Sequence, residues 1–294
     1  MKLLCFGLGY SAHAAVERLR PRLERVWGTT RRAAGSGRPA LSGVTMIAFD
    51  GATHSTVAAE ALAKADHVLV SVPPNDNGDP VLSHSRDDLA ARAPRAIVYL
   101  STVGVYGDHG GAWVDETSEC RPVSKRSLLR LAAEQSWERF SAETGVPVAI
   151  IRLAGIYGPG RGPFQKVRSG TARRIIKPGQ VFNRIHVDDI AAIVDAAFDK
   201  RAGGVFNGVD DAPAPPQDVI AYAAELLGLP APPEIAFADA DLSPMARSFY
   251  GESKRVRNGK IKRVLGVTLA HPTYREGLRA ALEAEAAGTD QPPP

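Results

Sequence analysis

At 294 residues, with 23% charged and 44% hydrophobic side chains, the chain has the composition of a globular protein large enough to bury a sizeable core. Its formal net charge of +4 is spread along the sequence, without a Lys/Arg block or a basic stripe interleaved with aromatics, which argues against a nucleic-acid partner. Cys5 and Cys120 are too few for a disulfide scaffold or a Cys-based zinc site, and no apolar run approaches a membrane span. No metal-ligand set is assigned. Because a buried-strand pattern starts at once, with no room for a signal peptide, a cytoplasmic location is expected.

The apolar run Lys2 to Phe6 predicts a strand, Gly7-Leu8-Gly9-Tyr10-Ser11-Ala12 a turn, Ala14 to Arg20 a helix, and Arg25 to Thr29 a second strand. This is the layout of a dinucleotide site. Gly7 allows the tight turn, Gly9 lets backbone approach a pyrophosphate, and Ala12 keeps the helix close to the sheet. The helix start, at Tyr10 and Ser11, would present unpaired N–H groups to the phosphates. Glycines at such a turn also serve close packing alone. Where an NAD site places Asp or Glu on the ribose 2′-hydroxyl, the chain has Thr30, Arg31 and Arg32. Two guanidinium groups suit a 2′-phosphate, so NADP(H) is expected in preference to NAD(H). The alternative is a solvated loop, since Ala33-Ala34-Gly35-Ser36-Gly37 follows.

Further strands are predicted at Thr45 to Phe49, His67 to Val72, Ala96 to Ser101 and Val148 to Leu153, with helices at Thr56 to Lys64, Arg86 to Arg92 and Ser124 to Glu143. The alternation implies an α/β fold, a Rossmann-type doubly wound parallel sheet that binds ligands beyond the C-terminal ends of its strands. Past residue 208, six prolines between Pro213 and Pro233 punctuate the helical stretches Gln217 to Leu227 and Thr273 to Glu285, which reads as a smaller substrate lobe. Residues 1–160 are assigned to the dinucleotide-binding domain, with 184–208 returning to it through Val205-Phe206-Asn207. Residues 161–183 and 209–287 are assigned to the substrate lobe, and 288–294 to a disordered tail.

Three later motifs come in order: Ser101-Thr102-Val103-Gly104-Val105-Tyr106-Gly107, Arg152-Leu153-Ala154-Gly155-Ile156-Tyr157-Gly158-Pro159-Gly160-Arg161, and Arg184-Ile185-His186-Val187-Asp188-Asp189. Together with the first turn they resemble the extended short-chain dehydrogenase/reductase proteins, the NAD(P)-dependent epimerase/dehydratase family, from Met1 to about Ala281. Ser253-Lys254-Arg255-Val256 and Leu265-Gly266 are similar to that family's C-terminal lobe. The resemblance implies that Thr102 hydrogen-bonds the reacting oxygen of the substrate; a strand-end hydroxyl capping local backbone is the alternative. It places Ser101, Asp50 and Ser71-Val72-Pro73 on the cofactor, Asp50 at the adenine amino group. Tyr106, Tyr157, Arg161 and His186 would line the substrate site, although either tyrosine could be a buried aromatic, and His186 and Asp189 could bridge loop and helix structurally.

The family's Tyr-x-x-x-Lys pair, one helical turn apart, falls on Arg126 and Arg130 when counted back from Glu134, and no Tyr occurs between Gly107 and Ile156. Arg130 retains a positive charge for ribose hydroxyls, whereas the guanidinium of Arg126 stays protonated and cannot exchange a proton with substrate. His109 is a candidate substitute donor or an exposed loop histidine. The resemblance implies an oxidoreductase acting on a nucleotide-sugar-like or other polar carbonyl or alcohol substrate; Arg161, Arg168, Arg173, Arg174 and Lys177 are candidates to meet substrate phosphates, a basic exposed loop being the equal alternative. The missing pair leaves a non-catalytic NADP(H)-binding sensor as the alternative. A homodimer is the candidate assembly, through Leu128, Leu129, Leu131 and Trp137, whose spacing equally fits the sheet-facing side of one helix.

Overall fold

A computed structural model describes residues 1–31 and 41–288; Arg32 and all but the first residue of the expected disordered tail lie outside the described residues. The first half contains β1 (Lys2–Phe6), α1 (Tyr10–Leu19), β2 (Arg25–Thr30), β3 (Val44–Ala48), α2 (Thr56–Lys64), β4 (His67–Val70), α3 (Pro80–Arg92) and β5 (Ala96–Thr102). There follow β6 (Trp113–Val114), α4 (Lys125–Thr144), β7 (Val148–Leu153), β8 (Gly155–Tyr157), α5 (Phe164–Arg168), β9 (Arg174–Ile176), β10 (Arg184–His186), α6 (Val187–Asp199) and β11 (Gly204–Gly208). The remainder contains α7 (Pro216–Leu226), β12 (Glu234–Ala236), α8 (Pro244–Phe249), β13 (Arg255–Val256), α9 (Gly259–Leu265) and α10 (Tyr274–Ala286).

Seven strands form one parallel sheet in the order β11-β7-β5-β4-β1-β2-β3. The order reverses at β1, which is where a doubly wound sheet opens a crevice at its C-terminal edge. Every residue of β7 is buried, as expected of a central strand covered on both faces. One apolar layer packs α1 and α6 on the sheet through Val16, Leu19, Ile190 and Val194; the other packs α2, α3 and α4 through Leu62, Leu89, Trp137 and Phe140. Trp137 is fully buried there, so it belongs to the sheet-facing side of α4, while Leu128 stays exposed on the same helix.

The helix predicted from Arg86 begins earlier, at Pro80. Asp79 caps it by accepting from Val81 and Leu82 N–H at 3.0 and 3.1 Å, and Pro80 occupies the first turn, where its missing N–H costs nothing. Ser85 interrupts the helix at φ −137°, which breaks the apolar periodicity and hides the first turns from a pattern reading.

Inside the sheet, Glu134 of α4 and Arg152 of β7 form a buried ion pair, with Nη2 to Oε2 at 2.8 Å and Nε to Oε2 at 3.1 Å. Ser101 donates to the same carboxylate. Arg152 lies 4.8 Å over the Tyr106 ring, whose hydroxyl donates to Asn207 Oδ1 at 2.8 Å. Burial opposes the guanidinium charge of Arg152, but Glu134 outweighs it and holds the group above its ordinary pKa. Glu134→Ala strands a buried charge and is expected to destabilise the fold by about 3–5 kcal/mol in urea denaturation; a loss below about 1 kcal/mol would show that the network is dispensable.

Candidate functional site

The turn after β1 is held open by its neighbours. Gly7 sits at φ +86°, and a Cβ there would meet Val72 at 2.9 Å. Its N–H donates to Thr29 Oγ1 at 2.8 Å, and Leu8 N–H donates to the Thr29 carbonyl at 3.1 Å. Gly9, the N-cap of α1, has no heavy atom within 4 Å of where a Cβ would stand. No side chain caps α1 and no acidic residue occupies its first turn. An uncapped helix start with an open face suits an anion, so the residues present fit a dinucleotide pyrophosphate. Ala12, fully buried, sets the close packing of helix on sheet.

Around this turn stand the other expected cofactor residues. Asp50 follows β3, where the amides of Ala52 and Thr53 hold its carboxyl below the usual range. Ser71 and Val72 follow β4 beside Gly7, and Pro73 is exposed. Thr30 ends β2 and its carbonyl accepts from Phe49 N–H, while Arg31 is exposed. Ser101 is corrected: it is buried and its hydroxyl is engaged by Glu134, so it belongs to the interior network.

At the end of β5, Thr102 accepts from Gly104 N–H at 3.1 Å, the local cap weighed above; its hydroxyl proton remains free to donate. The first turn of α4 lies against this corner: a Cβ at Gly104 would stand 2.9 Å from Ser127 Oγ and 3.4 Å from Thr102 Oγ1. Ser127 in turn accepts from Ser124 Oγ at 2.9 Å. Neither hydroxyl was singled out in the sequence, where Ser124 read only as the start of a helix.

The two arginines diverge. Arg126 is exposed and reaches the C-terminal part of the chain, its guanidinium 5.3 Å over the Phe249 ring. Arg130 turns back to β5, donating to Tyr99 Oη at 2.9 Å and the Leu100 carbonyl at 3.0 Å. His109 lies with Nε2 at 3.1 Å from the Tyr106 carbonyl, a contact that makes it a loop staple. The strap around β13 locks the same loop. Lys254 donates to the Gly107 carbonyl at 2.7 Å, Ser253 N–H donates to Asp108 at 2.8 Å, and the Ser253 carbonyl accepts from His109 and Gly111.

Three expected substrate-lining residues are corrected. Tyr106 is fully buried and satisfied by Asn207, and Tyr157 is buried, donating to the Thr273 carbonyl at 3.3 Å. His186 is 1% exposed, and burial with the neighbouring His271 pushes it down to about 4. Asp189 grips the amides of Ala270 and His271 at 2.7 and 3.1 Å, the structural bridge weighed above. Arg161 lies 5.5 Å over the ring of Tyr10, whose hydroxyl donates to the Pro159 carbonyl, so it stands beside the phosphate turn. Arg168 pairs with Glu285, Arg174 with Glu234, Arg173 bonds local carbonyls, and Lys177 bonds the Tyr250 carbonyl.

The sheet order, the uncapped turn and the β5 corner define a Rossmann-type dinucleotide-binding fold. The NAD dependent epimerase/dehydratase family model matches residues 7–207, and the chain belongs to that family. It is similar to a solved, functionally unknown conserved protein from Silicibacter pomeroyi DSS, at 50% identity and TM-score 0.87, over 96% of this chain and 98% of that one. Protein YeeZ of Escherichia coli K12 is 31% identical over 183 residues, 59% of this chain and 63% of that protein. The chain spans between about half and 63% of the length of the curated relatives it first matches. MoeE5, solved with UDP-glucuronic acid and NAD, shares the fold at 20% identity and TM-score 0.77, over 98% of this chain and all of that one.

The expectation of NADP(H) over NAD(H) is corrected by these structures: MoeE5 and a UDP-glucuronic acid 4-epimerase of Bacillus cereus are both held with NAD. Arg31 is exposed, the solvated-loop alternative for that position.

Gly9→Ala is expected to lower stability by no more than about 1 kcal/mol, because the protein leaves room for the methyl. The same methyl fills the approach to the phosphates, so NAD+ affinity in calorimetry should fall at least tenfold. Unchanged affinity would move the cofactor away from this turn.

Proposed function

We propose that the protein is an NAD(H)-dependent oxidoreductase of the epimerase/dehydratase type, acting on a nucleotide-sugar-like or other polar carbonyl or alcohol substrate. The observation that carries this reading is the uncapped start of α1 at Gly9, at the same sheet edge as the Thr102 corner and the first turn of α4. In this reading the amides of Tyr10, Ser11 and Ala12 hold the pyrophosphate, Asp50 meets the adenine amino group, and Ser71 to Pro73 flank the adenosine ribose. Residues 161–183 and 209–287 form the substrate lobe. A homodimer through α4 belongs to the same proposal, with Leu128 exposed for it.

When bound, NAD supplies the hydride acceptor and NADH the hydride donor. The chain's own part is orientation and charge. Thr102 donates a hydrogen bond to the reacting oxygen, and Arg126 offers a fixed positive charge to an alkoxide. A guanidinium cannot take the proton, so in this reading solvent water accepts it as the alkoxide forms. Without a general base the rate forgoes about a hundredfold to ten-thousandfold, or about 3–5 kcal/mol of barrier.

A second reading is a non-catalytic NAD(H)-binding sensor. It is favoured by the commitment of Arg130 to Tyr99 and Leu100 and of Arg126 to Phe249. Calorimetry with NAD+ beside turnover assays on UDP-sugars and polar aldehydes separates the two. For the enzyme, Thr102→Val should lower kcat about a hundredfold with NAD+ affinity unchanged. Tight NAD+ binding without turnover of any substrate supports the sensor. The double variant Arg126→Tyr with Arg130→Lys restores the proton-transfer pair and should raise kcat at least tenfold; no gain would mean that the cleft is not built around that geometry.

A further inference from the structure

Near Tyr10 at the start of α1, β10, the first turn of α6 and the segment before α10 bring together three side chains of metal-ligand type. His186 turns Nδ1 toward a carboxylate oxygen of Asp188 at 3.5 Å, and His271 turns Nε2 toward the same oxygen, also at 3.5 Å. The three ligand atoms lie within 4.8 Å of one another. Donors set tetrahedrally about 2.1 Å from one ion are about 3.4 Å apart. The two histidine–carboxylate edges therefore already have the spacing of a bound ion, and only the histidine–histidine edge has to close.

We propose that His186, Asp188 and His271 bind a divalent first-row transition ion of the zinc class, with solvent completing a tetrahedral shell. Two imidazoles and one carboxylate suit such an ion better than calcium or magnesium, which take oxygen ligands. The ligands are held in place. His186 packs edge-on against Tyr157 at 5.2 Å, the two imidazoles lie 3.9 Å apart, and His271 N–H is fixed by Asp189 at 3.1 Å. Nδ1 of His186 accepts from Asp188 N–H, so its proton resides on Nε2, the tautomer that an Nδ1 ligand requires. That bond, at 3.3 Å, is longer than the usual 2.9–3.0 Å, and an ion displaces only a weak cap. Asp188 is exposed, which opens the site to solvent.

The start of α6 repels a cation through the helix dipole, and the two acids of its first turn, Asp188 and Asp189, offset that effect. Bound there, an ion would brace α6 against the segment leading into α10.

The test uses the full chain stripped with a chelator, then titrated with Zn2+ in calorimetry and with Co2+ as a spectroscopic probe. One Zn2+ per chain, the intense visible bands of tetrahedral Co2+, and a thermal midpoint raised by about 5 °C at a hundredfold excess over Kd are expected. His271→Ala and Asp188→Asn should each weaken Zn2+ binding at least tenfold, whereas His54→Ala, an exposed histidine elsewhere, should not. Asp188→Asn alters an exposed carboxylate and keeps the test decisive if His271→Ala fails to fold. Absence of the tetrahedral Co2+ spectrum, or Zn2+ affinity unchanged in Asp188→Asn, overturns the proposal.

Discussion

The buried pair of Glu134 and Arg152 is the constraint on which the site depends. A carboxylate and a guanidinium in the interior are tolerated only where each finds a partner of good geometry, so α4 can dock on the sheet in one register alone. That register sets where the first turn of α4 falls, and with it Arg126, Ser127 and Arg130. It also joins Ser101, at the end of β5, to Asn207 of β11 through Tyr106. The corner that presents Thr102 is thus fixed by polar contacts underneath it, while the apolar layers supply most of the stabilisation.

Much of this was legible in the sequence. β1 after Lys2 and β7 apart from Arg152 are apolar runs, and the Gly7-to-Ala12 turn has a local geometry that residue types specify without help from afar. What was not legible depends on partners far along the chain. Tyr106 and Tyr157 stand in motifs that suggest a cleft, but their hydroxyls meet Asn207 and the Thr273 carbonyl, 101 and 116 residues away. No periodicity announces such a meeting. Arg161 was expected among substrate phosphates and stands over Tyr10 because the loop after β8 returns to α1. His186 and His271 likewise gain their meaning only once β10 and the chain before α10 are side by side.

At the two helix positions that the sequence resemblance matches to the family's Tyr and Lys, α4 carries Arg126 and Arg130. Both positions carry a cation, and the planar fork of Arg130 reaches a phenol and a carbonyl at once, which an ammonium point charge matches poorly. Arg130 thereby braces the helix to β5. Glu134, one turn further on, also holds the helix in place.

The strap at Ser253 and Lys254 carries a consequence for biogenesis. Lys254, 147 positions further along the chain, meets the Gly107 carbonyl. A ribosome adding about 5–20 residues per second delivers the loop after β5 some seconds to tens of seconds before its clamp. During that interval β7 and β11 are also added, and the corner after β5 lacks its contact with Lys254. The pinning of this corner is therefore a late event of synthesis.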